Sequence, residues 1–329
     1  MFLKELIETF GVSGYEKEVS KLIEKAVSGY ADEITRDSLG NLIVFKRGTG
    51  ERKKKIMLAA HMDEIGLQVI KIDERGFIKF KDMGYNFPST LYMSRIRFRN
   101  GVIGLVSTST GEDKPDITKM HIDIGAKSKE DALKYVKVGD VAGYIGEYCE
   151  LLNGNIMAKA MDDRLGCHIL VETLQKTETL YNDVYFVFTV QEELGCRGSK
   201  VTARRLNPDI GIAVDVTPAH DYPCDLEGSN TLGDGAAIKV ADPSVVCDEY
   251  LIGEMVKCCG ENNIKFQYDV INKGGTDASS INTSNYGVRV GGVSIPLRYP
   301  HGHSACANKG DVEACTELLR HFINRSFEF

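Results

Sequence analysis

Histidines and carboxylates gather in this chain directly behind short apolar runs. IMLAA (56–60) leads into His61 and Asp63, and VYFVFTV (184–190) into Gln191, Glu192 and Glu193. IGIAV (210–214) leads into Asp215, the run through IPLRYP into His301 and His303, and Asp162 and Asp163 precede a helical pattern starting near Arg164. In an open α/β sheet, ligands collect in the crevice beyond the carboxyl ends of the strands, so several strands delivering such side chains to one edge predict a metal site. Imidazole and carboxylate without thiolate suit zinc, cobalt or manganese. Two histidines with three or more carboxylates exceed the needs of one four-coordinate ion. They fit two ions roughly 3.5–4 Å apart that share a bridging carboxylate and generate a hydroxide nucleophile. Each piece alone has an ordinary explanation: a capped strand end for His-x-Asp, a helix N-terminus for Asp162–Asp163, a solvated turn for Glu192–Glu193. Their coincidence at several strand ends does not.

The elements that must position these groups alternate in type. Leu3, Leu6, Ile7 and Phe10, then Val19, Leu22, Ile23 and Ala26, recur at helical spacing, with Ser13 and Glu16 between them at capping-box spacing. Strands are expected at Asn41–Lys46 and Lys55–Ala60. From about Leu67 short alternating runs take over: LQVIKI, GFIKFKD, SRIRFR, GVIGLVS, MHIDIG and DVAGYIG. Turn signals at Asp73–Gly76, Asn100–Gly101 and Gly111–Asp113 separate them, and one short helix is expected near Ser128–Val136. Beyond Asn153 buried strands again alternate with helices, at Arg164–Lys176, Asp248–Asn262, Ser279–Ser284 and Asp311–Ser326. The expected architecture is an α/β domain, 1–66 with 156–329, interrupted by a small all-β domain at 67–155.

Composition narrows the function. The 329 residues carry 40 basic and 47 acidic side chains, a formal net charge of −7. That argues against nucleic-acid or anionic-membrane partners. At about 150 residues per domain the length suits two domains. The longest apolar runs are strand-sized, too short to cross a membrane. The first residues, with Lys4, Glu5 and Glu8, lack a signal-peptide core, so the cytoplasm is the expected compartment. Nine cysteines with no C-x-x-C pair are expected to be reduced, mostly buried thiols.

The segments AAHMDEIG (59–66), AKAMDDRLG (158–166), VQEELGCRG (190–198), AVDVT (213–217), GGTDAS (274–279) and IPLRYPH (295–301), in this order, resemble metallopeptidase family 42. This tetrahedral aminopeptidase family includes glutamyl, leucyl and deblocking enzymes, and its members are sometimes labelled endoglucanases. GDVAGYIGEYCELLNGNI resembles the family's exit from its inserted domain. The resemblance implies an α/β/α zinc-exopeptidase-like domain with a PDZ-like or barrel-like inserted dimerisation domain, acting on peptides with two divalent ions per subunit. It implies that Asp162 bridges both ions, that His61 and Asp215 complete one site, and that Glu193 with a C-terminal histidine completes the other. Glu192 is then the general base and Asp63 the residue that orients His61. Residues i and i+2 of a strand point the same way, and a metal-bound histidine commonly donates its other N–H to a carboxylate, which supports that last role. In an extended segment, Glu192 and Glu193 point to opposite sides. A cis peptide after Asp162 is also implied.

RYPHGHS (298–304) offers two histidines for the last ligand. His301 keeps the register from Arg298 and Tyr299, leaving His303 to line the pocket. Thr276 and Asp277 are candidates for that pocket, or else an ordinary turn before a helix capped by Thr276 or Asp277. His121, His168 and His321 have ordinary packed or surface readings, and His220 sits in a loop after Asp215. The family's assembly is a twelve-subunit tetrahedral shell of dimers, so the inserted domain is expected to pair subunits. Competing functions are a co-catalytic hydrolase of N-acyl amino acids or blocked peptides, a glycosidase, and a metal-stabilised scaffold. The absence of tryptophan and the convergent histidines oppose the glycosidase, and a spare carboxylate beside Glu193 opposes the scaffold.

Overall fold

The computed structural model describes residues 2–108, 116–224 and 227–329, so the expected turn at Gly111–Asp113 lies outside the described residues. A nine-stranded sheet forms the larger part. Its order is Glu33–Arg36, Leu42–Lys46, Asp183–Thr189, Lys55–His61, Ile210–Pro218, Arg289–Leu297, Ala236–Asp242 and Val245–Val246, with Phe266–Val270 also pairing with Ala236–Asp242. The four strands that matter most, 183–189, 55–61, 210–218 and 289–297, run parallel as neighbours. Their apolar runs are buried on both faces, as parallel strands under helices must be.

Helices Met161–Lys176, Glu249–Asn262 and Lys309–Phe322 cover one face; Arg197–Leu206 and Ala278–Asn282 cover the other. The first layer packs Leu165, Ile169, Leu318 and Phe322 against Leu58, Phe186 and Ile212. The second packs Ala203 and Ile281 on Met57, Val187 and Ala213. This is an α/β/α layering.

The alternating runs after Leu67 close into an antiparallel barrel, ordered Gly66–Ile72, Ile78–Met83, His121–Asp123, Ile103–Ser107, Arg95–Phe98 and Val141–Tyr144. It has its own core of Leu67, Val69, Ile78, Phe98, Val106 and Ile122. After Tyr144 the chain returns to the α/β part. Cys149–Glu150 joins Asn155–Ala158 and Ala305–Asn308 in a small separate sheet. No cysteine among the described residues forms a disulfide. No helix among the described residues is long and apolar enough to cross a membrane.

Candidate metal centre

The parallel strands end together at one edge. His61 is the last residue of its strand and pairs with Thr189, so the turn after Thr189 carries Glu192 and Glu193 alongside it. Asp215 lies near the end of 210–218, and the chain beyond Leu297 swings His301 over the same edge. Asp162 arrives from another direction, in the irregular first turn of helix 161–176, across a cis bond to Asp163.

His61 is 2% exposed. Its Nδ1 lies 3.0 Å from the Asp63 carbonyl, which can only accept, and 3.5 Å from the Asp63 carboxylate. The ring proton therefore belongs on Nδ1, leaving Nε2 toward the site. That atom lies 3.0 Å from Asp162 Oδ1, 3.9 Å from Asp215 Oδ1 and 4.0 Å from Glu192 Oε2. His301 repeats the arrangement. Its Nδ1 donates to the Tyr85 carbonyl at 2.7 Å, while Nε2 lies 3.3 Å from Asp162 Oδ2 and 3.7 Å from Glu193 Oε1. Asp162 thus turns one oxygen to each imidazole.

Ligand atoms of one tetrahedral ion, at bond lengths of about 2 Å, sit about 3.3 Å apart. The donor atoms of His61, Asp162 and Glu193 lie within 4.8 Å of one another, as do those of His61, Asp163 and Asp215. Asp163 is already occupied, accepting from the amides of His61 at 3.1 Å and Gly166 at 2.9 Å. A Cβ on residue 166 would lie 2.4 Å from its carboxylate, so only glycine allows this anchor.

Asp63, fully buried, accepts from the Ser13 hydroxyl at 2.6 Å and from the amides of Glu192 and Glu193 at 3.0 and 3.2 Å. One residue therefore fixes both parts, its backbone carbonyl the His61 ring and its carboxylate the turn bearing the two glutamates. Here two expectations need correction. Ser13 does not cap the helix Lys17–Val27, whose N-cap, Glu16, makes no side-chain cap bond. The burial of Ser13 beside Asp63 commits its hydroxyl to the site instead, and the Glu16 carboxylate accepts from Gly14 and Gln191. Glu192 and Glu193 occupy a turn rather than an extended segment, because Gln191 is left-handed (φ 55°) and Asp63 gathers both following amides.

Asp277 does not cap helix Ala278–Asn282 through its side chain; it accepts from Thr189 at 2.7 Å and Ser199 at 2.5 Å. The Thr276 hydroxyl accepts from the Ala278 amide at 3.3 Å. His303 turns to the Ser304 hydroxyl and the Tyr144 ring rather than to the carboxylates of the cluster. Sequence reasoning missed Ser13, whose spacing pointed to a cap. It also missed the Tyr85 carbonyl, whose placement no local pattern encodes, and Cys196, whose thiol lies 3.1 Å from Glu192 Oε1.

Buried carboxyls outnumber imidazoles here, and the charges respond. Burial pushes Glu192 up to about 8, reinforced by Asp277 and Glu193 and opposed by His61. Glu193 rises to about 8 through burial and Asp162, against His301. Asp215 goes well above its ordinary range through burial, with Asp162 and Glu192 adding to it. Burial opposes ionisation of Asp162, yet the bonds from His301 and His61 outweigh it and hold the carboxyl low. Burial likewise opposes charge on His301, but Glu193, Asp162 and the Tyr85 carbonyl raise it to about 10. Crowded acids without matching positive charge are costly to bury, and divalent cations would relieve that cost. The donor set fits them.

The sequence profile of the M42 glutamyl aminopeptidases matches residues 40–318. The chain belongs to this family. The M42 enzyme is therefore a metallo-aminopeptidase, a hydrolase of peptides. It is 41% identical over 320 residues to a protein of Acetivibrio thermocellus, covering 96% of each chain. It is 30% identical to the lysyl aminopeptidase of Pyrococcus furiosus, over 97% of this chain and 94% of that one. Among solved structures it resembles an aminopeptidase of Desulfurococcus kamchatkensis with a TM-score of 0.95 and 34% identity, over 99% and 94% of the two chains. It also resembles the TET1 peptidase of Pyrococcus horikoshii, which can assemble into a tetrahedron or a large octahedral shell; the TM-score is 0.89 at 29% identity, covering 99% of each.

Proposed function

We propose that the M42 enzyme removes N-terminal residues from peptides with two divalent ions held by five side chains. The observation that carries this reading is the Asp162 carboxylate, one oxygen toward His61 and the other toward His301. His61 and Asp215 would hold one ion, Glu193 and His301 the other, and Asp162 both. Zinc or cobalt suits the nitrogen and oxygen donors, with manganese as a third choice. Bound there, the ions supply Lewis acidity toward the scissile carbonyl and activate a water for attack.

The protein does the rest. Glu192 is the base: it stands beside the ligand group without belonging to the set, takes the proton from the attacking water and delivers it to the departing amine. Asp63 holds the His61 ring and, through two backbone amides, the turn carrying Glu192 and Glu193. The Tyr85 carbonyl orients His301.

We assign the barrel an assembly role, pairing subunits into dimers that build a closed shell. Its side chains Ile70, Tyr92, Met93 and Ile103 are exposed, and TET1 peptidase forms such shells. Enclosed active sites would admit peptides and exclude folded proteins.

The test is a panel of Leu, Glu, Asp, Lys and Ala p-nitroanilides, offered to chelated protein with zinc, cobalt or manganese restored. Metal-dependent release from a free-amine substrate is expected. Silence across the panel, with cleavage of N-acetylated peptides, would move the assignment to a blocked-peptide hydrolase.

A further inference from the structure

The turn that presents Glu192 folds back on itself. The amides of Gly195 and Cys196 both donate to the Glu192 carbonyl at 2.8 Å, and Cys196 is left-handed (φ 51°) where helix Arg197–Leu206 begins. This closure brings the Cys196 side chain over that of Glu192, with Sγ 3.1 Å from Oε1. The Thr276 carbonyl, 3.5 Å from the sulfur, is a second and longer acceptor for the same proton, so the shorter contact to the charged carboxylate is the favoured one. The remaining oxygen, Oε2, is the one facing His61. Behind the pair stands Asp277, held by Thr189 and Ser199, and the donor atoms of Glu192, Cys196 and Asp277 lie within 4.8 Å of one another.

We infer that Cys196 is a positioning residue for the base: its thiol donates to Oε1 and holds Glu192 with Oε2 toward the reacting water. The inference rests on Glu192 being that base. A glutamate side chain has three torsions to order, and among the described residues no other group donates a hydrogen bond to the Glu192 carboxylate. A thiol is a weak donor. It can select a rotamer without binding the carboxylate so strongly that its affinity for a proton is lost. The like charge of Asp277 discourages the rotamer that would retreat from the ions, so thiol and carboxylate act together to face Oε2 inward.

The experiment compares Cys196→Ala, Cys196→Ser and Glu192→Gln in the metal-loaded, full-length enzyme. Cys196→Ala is expected to lower kcat about tenfold, since small misplacements of a catalytic group are costly, with KM and bound metal unchanged. Cys196→Ser restores a donor and should recover most of the loss. A second readout needs no turnover. The S–H stretching band, isolated as the difference between wild type and Cys196→Ala, should shift in Glu192→Ala (read against the Glu192→Ala, Cys196→Ala double variant), where only the longer contact to the Thr276 carbonyl remains. An unchanged kcat in Cys196→Ala, a serine variant as slow as the alanine one, a loss carried by KM or metal content, or an unmoved S–H band would each overturn the inference. Full activity in Glu192→Gln would instead overturn the assignment of the base. An inactive Glu192→Gln beside a normal Cys196→Ala would remove only the role given to the thiol.

Discussion

The carbonyl oxygen of Tyr85, on the barrel side of the molecule, accepts a 2.7 Å hydrogen bond from Nδ1 of His301, beyond the end of a sheet strand. The barrel therefore reaches the candidate metal centre through its backbone. The contact fixes the tautomer and the aim of His301, as an outer partner does for a metal-bound histidine. Beside it, Gly84 (φ 78°) leaves so little room that a Cβ there would lie 3.0 Å from Glu193 Oε2 and 2.6 Å from the Ile65 side chain.

Gly84→Ala should consequently weaken metal binding. The added methyl presses on Glu193 and strains a left-handed position, so the ion shared by Glu193 and His301 should loosen first. Losses of 10–100-fold in affinity are typical for disturbed outer-shell partners. Titration of the chelated variant with cobalt should show one weakened site beside one normal site.

Glu192→Gln should keep both ions and lose about 10²–10⁴-fold in kcat, the usual contribution of a general base. Asp162→Asn should lose metal as well as activity, because an amide offers a poorer bridge between two cations. Elemental analysis of the dialysed variants, read beside kcat, separates the two cases. Equal metal loss from both would refute the division of roles.

His301→Ala should remove metal, whereas His303→Ala should leave its content unchanged. The basis is direction: His301 Nε2 faces Asp162 and Glu193, while His303 is engaged by Ser304. Metal loss from His303→Ala alone would reverse the assignment.

Ser13→Ala should destabilise the fold by about 1–3 kcal/mol, the cost of leaving a buried charged acceptor short of a donor. Ser13 and Asp63 are both 0% exposed. Because Asp63 also holds the glutamate turn, kcat should fall too. Urea denaturation and steady-state kinetics would measure the two effects separately.

Glu16 predicts a pH dependence of stability. Burial, then the charge of Asp63, raises its carboxyl to about 7 in the folded chain, from an ordinary value of 4.5. The folded state thus binds the proton more tightly than the unfolded state. Its stabilising contribution is complete below about 4.5 and disappears as the pH rises through about 7. Glu16→Gln, which cannot ionise, should flatten the decline in Tm between pH 5 and 8. It should be the more stable protein at pH 8 by on the order of 2 kcal/mol. A wild-type slope retained in the variant would show that Glu16 is not its source.

The order of elements and most of the candidate ligands are legible in the sequence for local reasons. Apolar runs such as IMLAA and VYFVFTV can be satisfied only by burial on both faces, which means a parallel sheet under helices. Parallel strands must send their carboxyl ends to one edge, so His61, Glu192, Glu193 and Asp215 had to meet there. The alternation after Leu67 likewise demands a structure with one buried face, and the barrel supplies it. What remained for tertiary structure depends on direction rather than pattern. Ser13 sits at a spacing equally suited to a helix cap and to a partner of Asp63, and the packing of its loop against the end of strand 55–61 decided between them. Asp277 could cap a helix or be held by Thr189 and Ser199, and the approach of strand and helix settled it. The bonds of His301 to Tyr85 and of Cys196 to Glu192 join a side chain to a backbone oxygen on the barrel side, or to a carboxylate across a left-handed turn. Neither leaves a periodic trace, because hydrogen bonds are specified by angle and distance, whereas sequence spacing records only which face a residue occupies.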